Sequence, residues 1–198
     1  NLEELHTLCT TAFMKRRLKK DVLSQLPPKL RQQIYLQLGE KEMRPVKEVQ
    51  RQLEAVKVAL EAAKATGEAG AVGGPKMEEK RILNDYYLKS AEAKIVSVQQ
   101  YVRDLLENDE KFLIFAHHKC LLDGIEQCLR KAQKKFIRID GSTAAHERQG
   151  LVHRFQENPD CKAAVLSIRA AGQGLTLTAA HVVVMAELSW TPGEMVQA

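Results

Sequence analysis

The spacing of apolar residues along the chain changes rhythm near residue 110. Before that point it is mostly helical. Leu2, Leu5 and Leu8 open a first amphipathic stretch, which "LPP" at 26–28 ends, because proline disfavours helix for itself and for its predecessor. "QQIYLQL", residues 32–38, alternates and carries β-formers, so the pattern predicts a short strand there. Val46, Val49, Leu53, Val56, Leu60 and Ala63 follow at intervals of 3, 4, 3, 4 and 3, the seam of a packed helical arm too short for a true coiled coil. "ATGEAGAVGGP" at 65–75 is a flexible break in that arm. Helix resumes at "MEEKRILNDYYLK", and Ile95, Val98, Val102 and Leu105 mark another amphipathic helix that runs to Glu107.

From Lys111 onward, short apolar runs alternate with helical stretches. "KFLIFAH", "KFIRID", "KAAVLSI" and "HVVVMAE" predict four strands. Leu121, Leu122, Ile125 and Leu129 share one helix face after the first strand, and "GST" leads into a helix ending near Phe155. Strands that are apolar throughout must be covered on both faces. The predicted class is therefore α/β: a parallel sheet with helices on both faces and right-handed crossovers, preceded by an N-terminal helical segment and a helical protrusion. Ligands of such sheets gather at the carboxyl ends of the strands. Those ends lead into "HHK" (117–119), "DGST" (140–143), "RAAGQG" (169–174) and "LSWTPG" (188–193).

Composition narrows the class little further. With 198 residues, 44% hydrophobic and 28% charged, the chain is long enough for one core and an accessory element. No apolar run approaches the roughly 20 residues needed to span a bilayer. The opening "NLEELHTLCT" lacks the blocks of a signal peptide and an initiator Met, so the chain is expected to be cut from a larger protein. Cys9, Cys120, Cys128 and Cys161 form no C-x-x-C pair and are expected to be buried thiols in a reducing compartment, with no metal site. Net charge is mild at +5, yet "KRRLKK" (15–20) places five positive charges in six positions, either as a solvated helix face or as a phosphate contact.

Each loop, taken singly, has two readings. In "DGST", Ser142 or Thr143 can cap the next helix, while the exposed amides of such a turn also suit an anion. "HHK" fits a polar helix start or a nucleic-acid contact. "RAAGQGLTLT" is a lone G-x-G without the lysine of a Walker loop, so it reads equally as a turn before the next strand. Trp190, the only tryptophan, is either a packing anchor or a stacking platform.

Their order carries more than any one of them. "MKRRLKKDVLSQLPPK", "KFLIFAHHKCLLDGIEQCL", "FIRIDGSTAAHERQGLVHRF" and "AAVLSIRAAGQGLTLTAAHVVVMAELSWTPGEMVQA" together resemble the second RecA-like lobe of SWI/SNF-type, superfamily-two DNA-dependent ATPases. The resemblance covers residues 1–38 and 90–198, and the arm between falls where that family carries a variable helical protrusion. "FAHH" in place of "FSQ", and "ELSWTPG" in place of "DWNP", resemble the annealing helicases, or HARP-like fork remodellers, within it.

The resemblance implies a division into a lead-in segment at 1–38, a protrusion at 39–89 and the lobe at 90–198, ending short of the family's motif VI. It implies that His117, Lys119, Gly141, Ser142 and Thr143 face the phosphates of DNA, with Arg148 bracing that loop or reaching the backbone. It places Ser167, Arg169, Thr176 and Trp190 near DNA, and Gly172, Gln173 and Gly174 on the ATP side of a cleft between two lobes. ATP and Mg2+ serve the intact enzyme, with the ion held by a first lobe. The implied partners are that first lobe and forked or partly single-stranded DNA. The motor is expected to be a monomer in the nucleus, with no membrane contact. No G-x-x-x-x-G-K-[S/T] loop occurs in the sequence, so the chain alone is expected to be inactive. A lobe of a nucleosome-remodelling ATPase and a degenerate, non-enzymatic interaction lobe are the alternatives.

Overall fold

The computed structural model describes residues 1–15, 30–65, 73–171, 175–191 and 193. The remainder of "KRRLKK" after Lys15, the "LPP" stop, most of the glycine-rich break and Gly172–Gly174 lie outside the described residues. The chain divides into two compact units, Asn1–Tyr35 and Leu36–Ala198. In the first, helix α1 (Leu2–Ala12) starts at Asn1, whose side chain accepts from the Glu3 amide. Leu2, Leu5 and Leu8 are all exposed on it. The strand expected at 32–38 does not form among residues 31–39. Alternation alone makes no ladder, and Leu36 instead packs on the core of the second unit, where the Ser97 hydroxyl donates to the Gln37 carbonyl.

The second unit begins with two long helices, α2 (Glu40–Ala65) and α3 (Gly73–Glu107). The seam read from the 3-4 spacing is inward: Val46, Val49, Leu53 and Leu60 are buried. Val49 and Leu53 cluster with Ile82 of α3, flanked by Val56, Leu83 and Tyr86. The two amphipathic stretches expected after the break are one helix of 35 residues. Its first half packs on the arm, and its second half delivers Val98, Val102, Leu105 and Leu106 to the sheet core. The position between residues 89 and 90 lies within this unbroken helix.

The sheet follows as β1 (Phe112–Ala116), α4 (Lys119–Lys131), β2 (Lys135–Ile139), α5 (Ala145–Glu157), β3 (Cys161–Ser167), a short α6 (Ile168–Ala171) and β4 (Val182–Met185). All pairings are parallel, in the order β2-β3-β1-β4. Strand period accounts for the unbroken apolar runs. Phe112, Ile114 and Ala116 meet α3 and α4 on one face, whereas Leu113 and Phe115 meet Val152 and Phe155 of α5 on the other. Leu121, Ile125 and Leu129 are each fully buried, which stabilises by about 2 kcal/mol per side chain. The cysteines are less uniform than expected: Cys128 and Cys161 are buried, but Cys9 and Cys120 are half-buried.

α3 and α4 approach closely at Gly124. A Cβ there would lie 2.8 Å from Ile95 Cγ2, and the Gln99 amide donates to the Gly124 carbonyl at 2.7 Å. The methyl group of a β-branched side chain cannot swing aside, so the contact demands glycine. Gly124→Val should therefore lower unfolding free energy by about 2 kcal/mol in urea titration. Adding Ile95→Ala should return part of that loss; no recovery would mean that the close approach is not the cause.

Candidate nucleic-acid interface

The four loops expected to carry function all leave the carboxyl ends of parallel strands, and they therefore lie along one edge of the sheet. Two bonded clusters organise them. The first joins the ends of β1 and β4. Glu187 is 2% exposed, and its Oε2 accepts from the amides of His117 and His118, each at 2.8 Å. Its Oε1 lies 2.6 Å from His118 Nδ1. A carboxylate only accepts, so this contact places a proton of the ring on Nδ1. The Ala186 amide donates to the Phe115 carbonyl at 2.9 Å, extending the β1–β4 ladder to the foot of this site.

Tyr87, from α3, sits over the same place. Its hydroxyl donates to the Leu188 carbonyl. Its ring centroid lies 4.5 Å from that of His118, 5.4 Å from that of His117 and 5.3 Å from that of Trp190, the last at 68° and so edge-on. Trp190 itself is 64% exposed, held on one side and open on the other. The indole is thus held by one ring contact without being buried. Lys119 is exposed at the first position of α4, where its charge projects to solvent.

The second cluster shapes the loops after β2 and β3. Ser142 and Thr143 do not cap α5: the N-cap is Ala144, with no side-chain hydrogen bond. The hydroxyls close the turn instead. Thr143 Oγ1 accepts from the Asp140 amide at 3.0 Å, and the Ser142 amide and hydroxyl both donate to Asp140 Oδ1, at 2.9 and 2.6 Å. The Asp140 side chain bonds two residues ahead, a local closure that needs no partner from α5. Its other oxygen accepts from Arg138 Nε at 2.8 Å. Arg138 also bonds Asp123 and Glu126, at 2.7 and 2.6 Å.

Arg148 connects this turn to the next loop. Its Nε donates to the Thr143 carbonyl at 3.2 Å and its Nη1 to the Ala170 carbonyl at 3.1 Å. Of the two roles considered for it, the bracing one is thus present in the geometry. Gly141 and Ser142 are exposed at the tip of the turn. Ser167 ends β3 in register with Ala116, one residue before His117, while Arg169 and Thr176 are exposed. Gly172, Gln173 and Gly174, read as the nucleotide side, are outside the described residues. Among the described residues no group of three or more His, Cys, Asp or Glu side chains is placed to hold a metal ion, so no step through Mg2+ is derived from this chain.

The spacing argument missed Glu187, Tyr87, Asp140 and Arg138. Glu187 follows an apolar run as any strand-end charge does, and Tyr87 lies about thirty residues before one of the loops it touches and about a hundred before the other, with only helical spacing to mark it.

The parallel sheet between helices, with its loops at the carboxyl ends of the strands, is a RecA-like α/β fold. The chain belongs to the family described as the helicase conserved C-terminal domain, which matches residues 93–198. Along its whole length it is 45% identical to a "SWI/SNF-related matrix-associated actin-dependent regulator of chromatin subfamily A-like protein 1" from Xenopus laevis, of which it covers 19%. It is 42% identical to the "DNA annealing helicase and endonuclease ZRANB3" of Mus musculus, again over the whole chain and covering 18% of that protein. The chain thus spans about a fifth of these relatives. Among solved structures, the Sulfolobus solfataricus SWI2/SNF2 ATPase C-terminal domain is similar with a TM-score of 0.55 at 22% identity, covering 80% of this chain and 72% of that one. The core of that ATPase in complex with dsDNA is similar with a TM-score of 0.58 at 23% identity, covering 97% of this chain and 42% of that one. These two likenesses describe the fold.

Two consequences are measurable. Hydrogen bonding from Ser142 holds the Asp140 carboxyl down to about 2, against the opposing effect of partial burial, and the Ser142 amide and Arg138 add to it. A depressed carboxyl stabilises the fold above its unfolded value, here 3.8, and loses that contribution as pH falls towards 2. Asp140→Asn should therefore cost about 2 kcal/mol at neutral pH, and urea titrations should show its gap from the parent closing between about pH 4 and pH 2. A gap independent of pH would remove the charge from the explanation.

Glu187→Ala would strand two amides and a ring N–H in a buried site. It should cost about 3 kcal/mol. Glu187→Gln keeps an oxygen for the amides and can donate to Nδ1 of the other histidine tautomer, so it should cost clearly less in the same titration. Equal losses would mean that the acceptor is not what matters.

Proposed function

We propose that this chain is the second motor lobe of an ATP-dependent DNA annealing helicase and fork-remodelling translocase that works in the nucleus. The observation that carries this reading is the alignment, over the full chain, with relatives named as a DNA annealing helicase and as a SWI/SNF-related protein. The ordered loops at the carboxyl edge of the sheet support it, since that edge is where parallel sheets present ligand-binding groups.

In this reading residues 1–38 lead into the lobe, 39–89 form a protrusion and 90–198 form the lobe itself. His117, Lys119, Gly141, Ser142, Thr143, Ser167, Arg169, Thr176 and Trp190 face DNA, and Arg148 holds the "DGST" turn in shape for it. Exposed amides and hydroxyls at a turn offer a phosphate several short donors, and lysine and arginine add charge. Gly172, Gln173 and Gly174 meet ATP that a first lobe holds together with Mg2+. Closing of the two lobes on ATP and their release after hydrolysis would shift the grip on one strand. Phosphoryl transfer rests on positioning and charge stabilisation, so a lobe without a phosphate cradle supplies only part of the site. The partner DNA is forked or partly single-stranded, and the motor acts as a monomer. A second reading, a lobe of a nucleosome-remodelling ATPase, is favoured by the words "regulator of chromatin" in a relative's name.

The intact protein should hydrolyse ATP with strong stimulation by DNA, and the 198-residue chain alone should not. Turnover by the chain alone would overturn the two-lobe reading. DNA affinity should fall linearly on a logarithmic salt scale, and Lys119→Ala and Arg169→Ala should each reduce the slope by about 1. A salt-insensitive affinity would overturn the assignment of these groups to phosphates.

A further inference from the structure

We propose that Tyr87 is a positioning residue that sets the pose of the Trp190 loop and ties it to the α2–α3 arm. The inference rests on the reading of that loop as DNA-facing, and adds to it a residue from outside the four loops and a role for the arm.

Tyr86 and Tyr87 are neighbours in sequence with different duties. Tyr86 packs on the Val49, Leu53 and Ile82 cluster that holds α2 to α3. Tyr87 lies about 100° further round the helix. From there it reaches the loops after both β1 and β4, through its hydroxyl on the Leu188 carbonyl and its ring against His117, His118 and Trp190. The hydroxyl fixes a peptide two residues before Trp190, and the ring edge limits the rotamers of an indole that is otherwise mostly in solvent. Glu187 pins the base of the same loop, so Leu188–Trp190 is restrained at its foot by a carboxylate and along its length by one tyrosine.

The helix carrying Tyr87 is continuous from Gly73 to Glu107, and its hydrogen bonds are not interrupted between the arm and the sheet. A helix of that kind moves as a rod, because bending it sharply requires breaking bonds of the ladder. A load on the arm is then felt at Tyr87, and through it at the indole. Burial alone does not require a tyrosine here: a leucine would fill the half-buried position without reaching the carbonyl.

The test uses the intact protein, a forked DNA duplex and ATP turnover measured across DNA concentration. Tyr87→Leu should raise the half-saturating DNA concentration about tenfold, the combined effect of a lost hydrogen bond and lost ring contacts. Tyr87→Phe, which keeps the ring, should raise it about threefold. The DNA-free rate and kcat at saturating DNA should change less than about twofold, since the residue acts before chemistry. In a Trp190→Ala background, Tyr87→Leu should add little, because the two act as one unit. An unchanged half-saturating concentration, a parallel fall in DNA-free and DNA-saturated rates, or full additivity with Trp190→Ala would each overturn the inference. An intact parent without DNA stimulation would overturn the functional reading itself, whereas a stimulated parent matched by its Tyr87 variants overturns only this inference.

Discussion

A carboxylate removed from water has to be given donors, and Glu187 receives three. Two are backbone amides at the end of β1 and one is an imidazole N–H. An unpaired charge in such a place would cost several kcal/mol, so Glu187 couples the loop after β4 to the loop after β1. The pair of histidines, the peptide at Leu188 and the indole beyond it all take their positions from that constraint. The same bonds tie the end of β4, an edge strand and the shortest of the four, to the end of β1.

The other half of the carboxyl edge uses a different device for the same purpose. Arg138 is surrounded by Asp123, Glu126 and Asp140; burial works against its charge, yet the three carboxylates outweigh burial and hold the guanidinium firmly protonated. Asp140 is thereby oriented, and it in turn folds Ser142 and Thr143 into a closed turn. Arg148 carries the restraint across to Ala170. Polar groups that would otherwise compete with one another are all engaged, and among the described residues no buried side-chain nitrogen or oxygen lacks a partner. Networks satisfied in this way are rigid, so the loops at this edge are held in fixed positions. The sheet beneath supplies the platform: its two central strands, β1 and β3, are almost wholly buried between the helices, so the loops that leave them start from fixed strand ends.

How much of this was legible depended on the range of the interactions involved. The four strands, the face of α4 and the 3-4 seam of α2 followed from local spacing, because burial on a strand or helix repeats with the period of the backbone itself. The segment at 32–38 had the right alternation but no neighbouring strand to pair with. The two helices expected in 76–107 proved to be one, because the polar residues between their apolar faces continue the helix while the face it buries changes partner, from the arm to the sheet. "DGST" was correctly placed at a strand-to-helix turn, but of its two readings the helix cap does not form, since the Ser142 hydroxyl donates to the Asp140 carboxylate and the Thr143 hydroxyl accepts from the Asp140 amide.

The sequence alone thus determined the class of fold, the family and the placing of four loops at the carboxyl edge of the sheet, all of which rest on periodicity and on the order of short motifs. Tertiary structure decided which side chains govern that edge. Glu187 is an ordinary charge until a second strand end closes over it, and Tyr87 is an ordinary helical tyrosine until the chain returns a hundred residues later to place Leu188 and Trp190 against it. Apolar burial repeats with the backbone period and is legible locally, but contacts between a polar side chain and a distant loop are properties of the folded chain, and no local pattern encodes them.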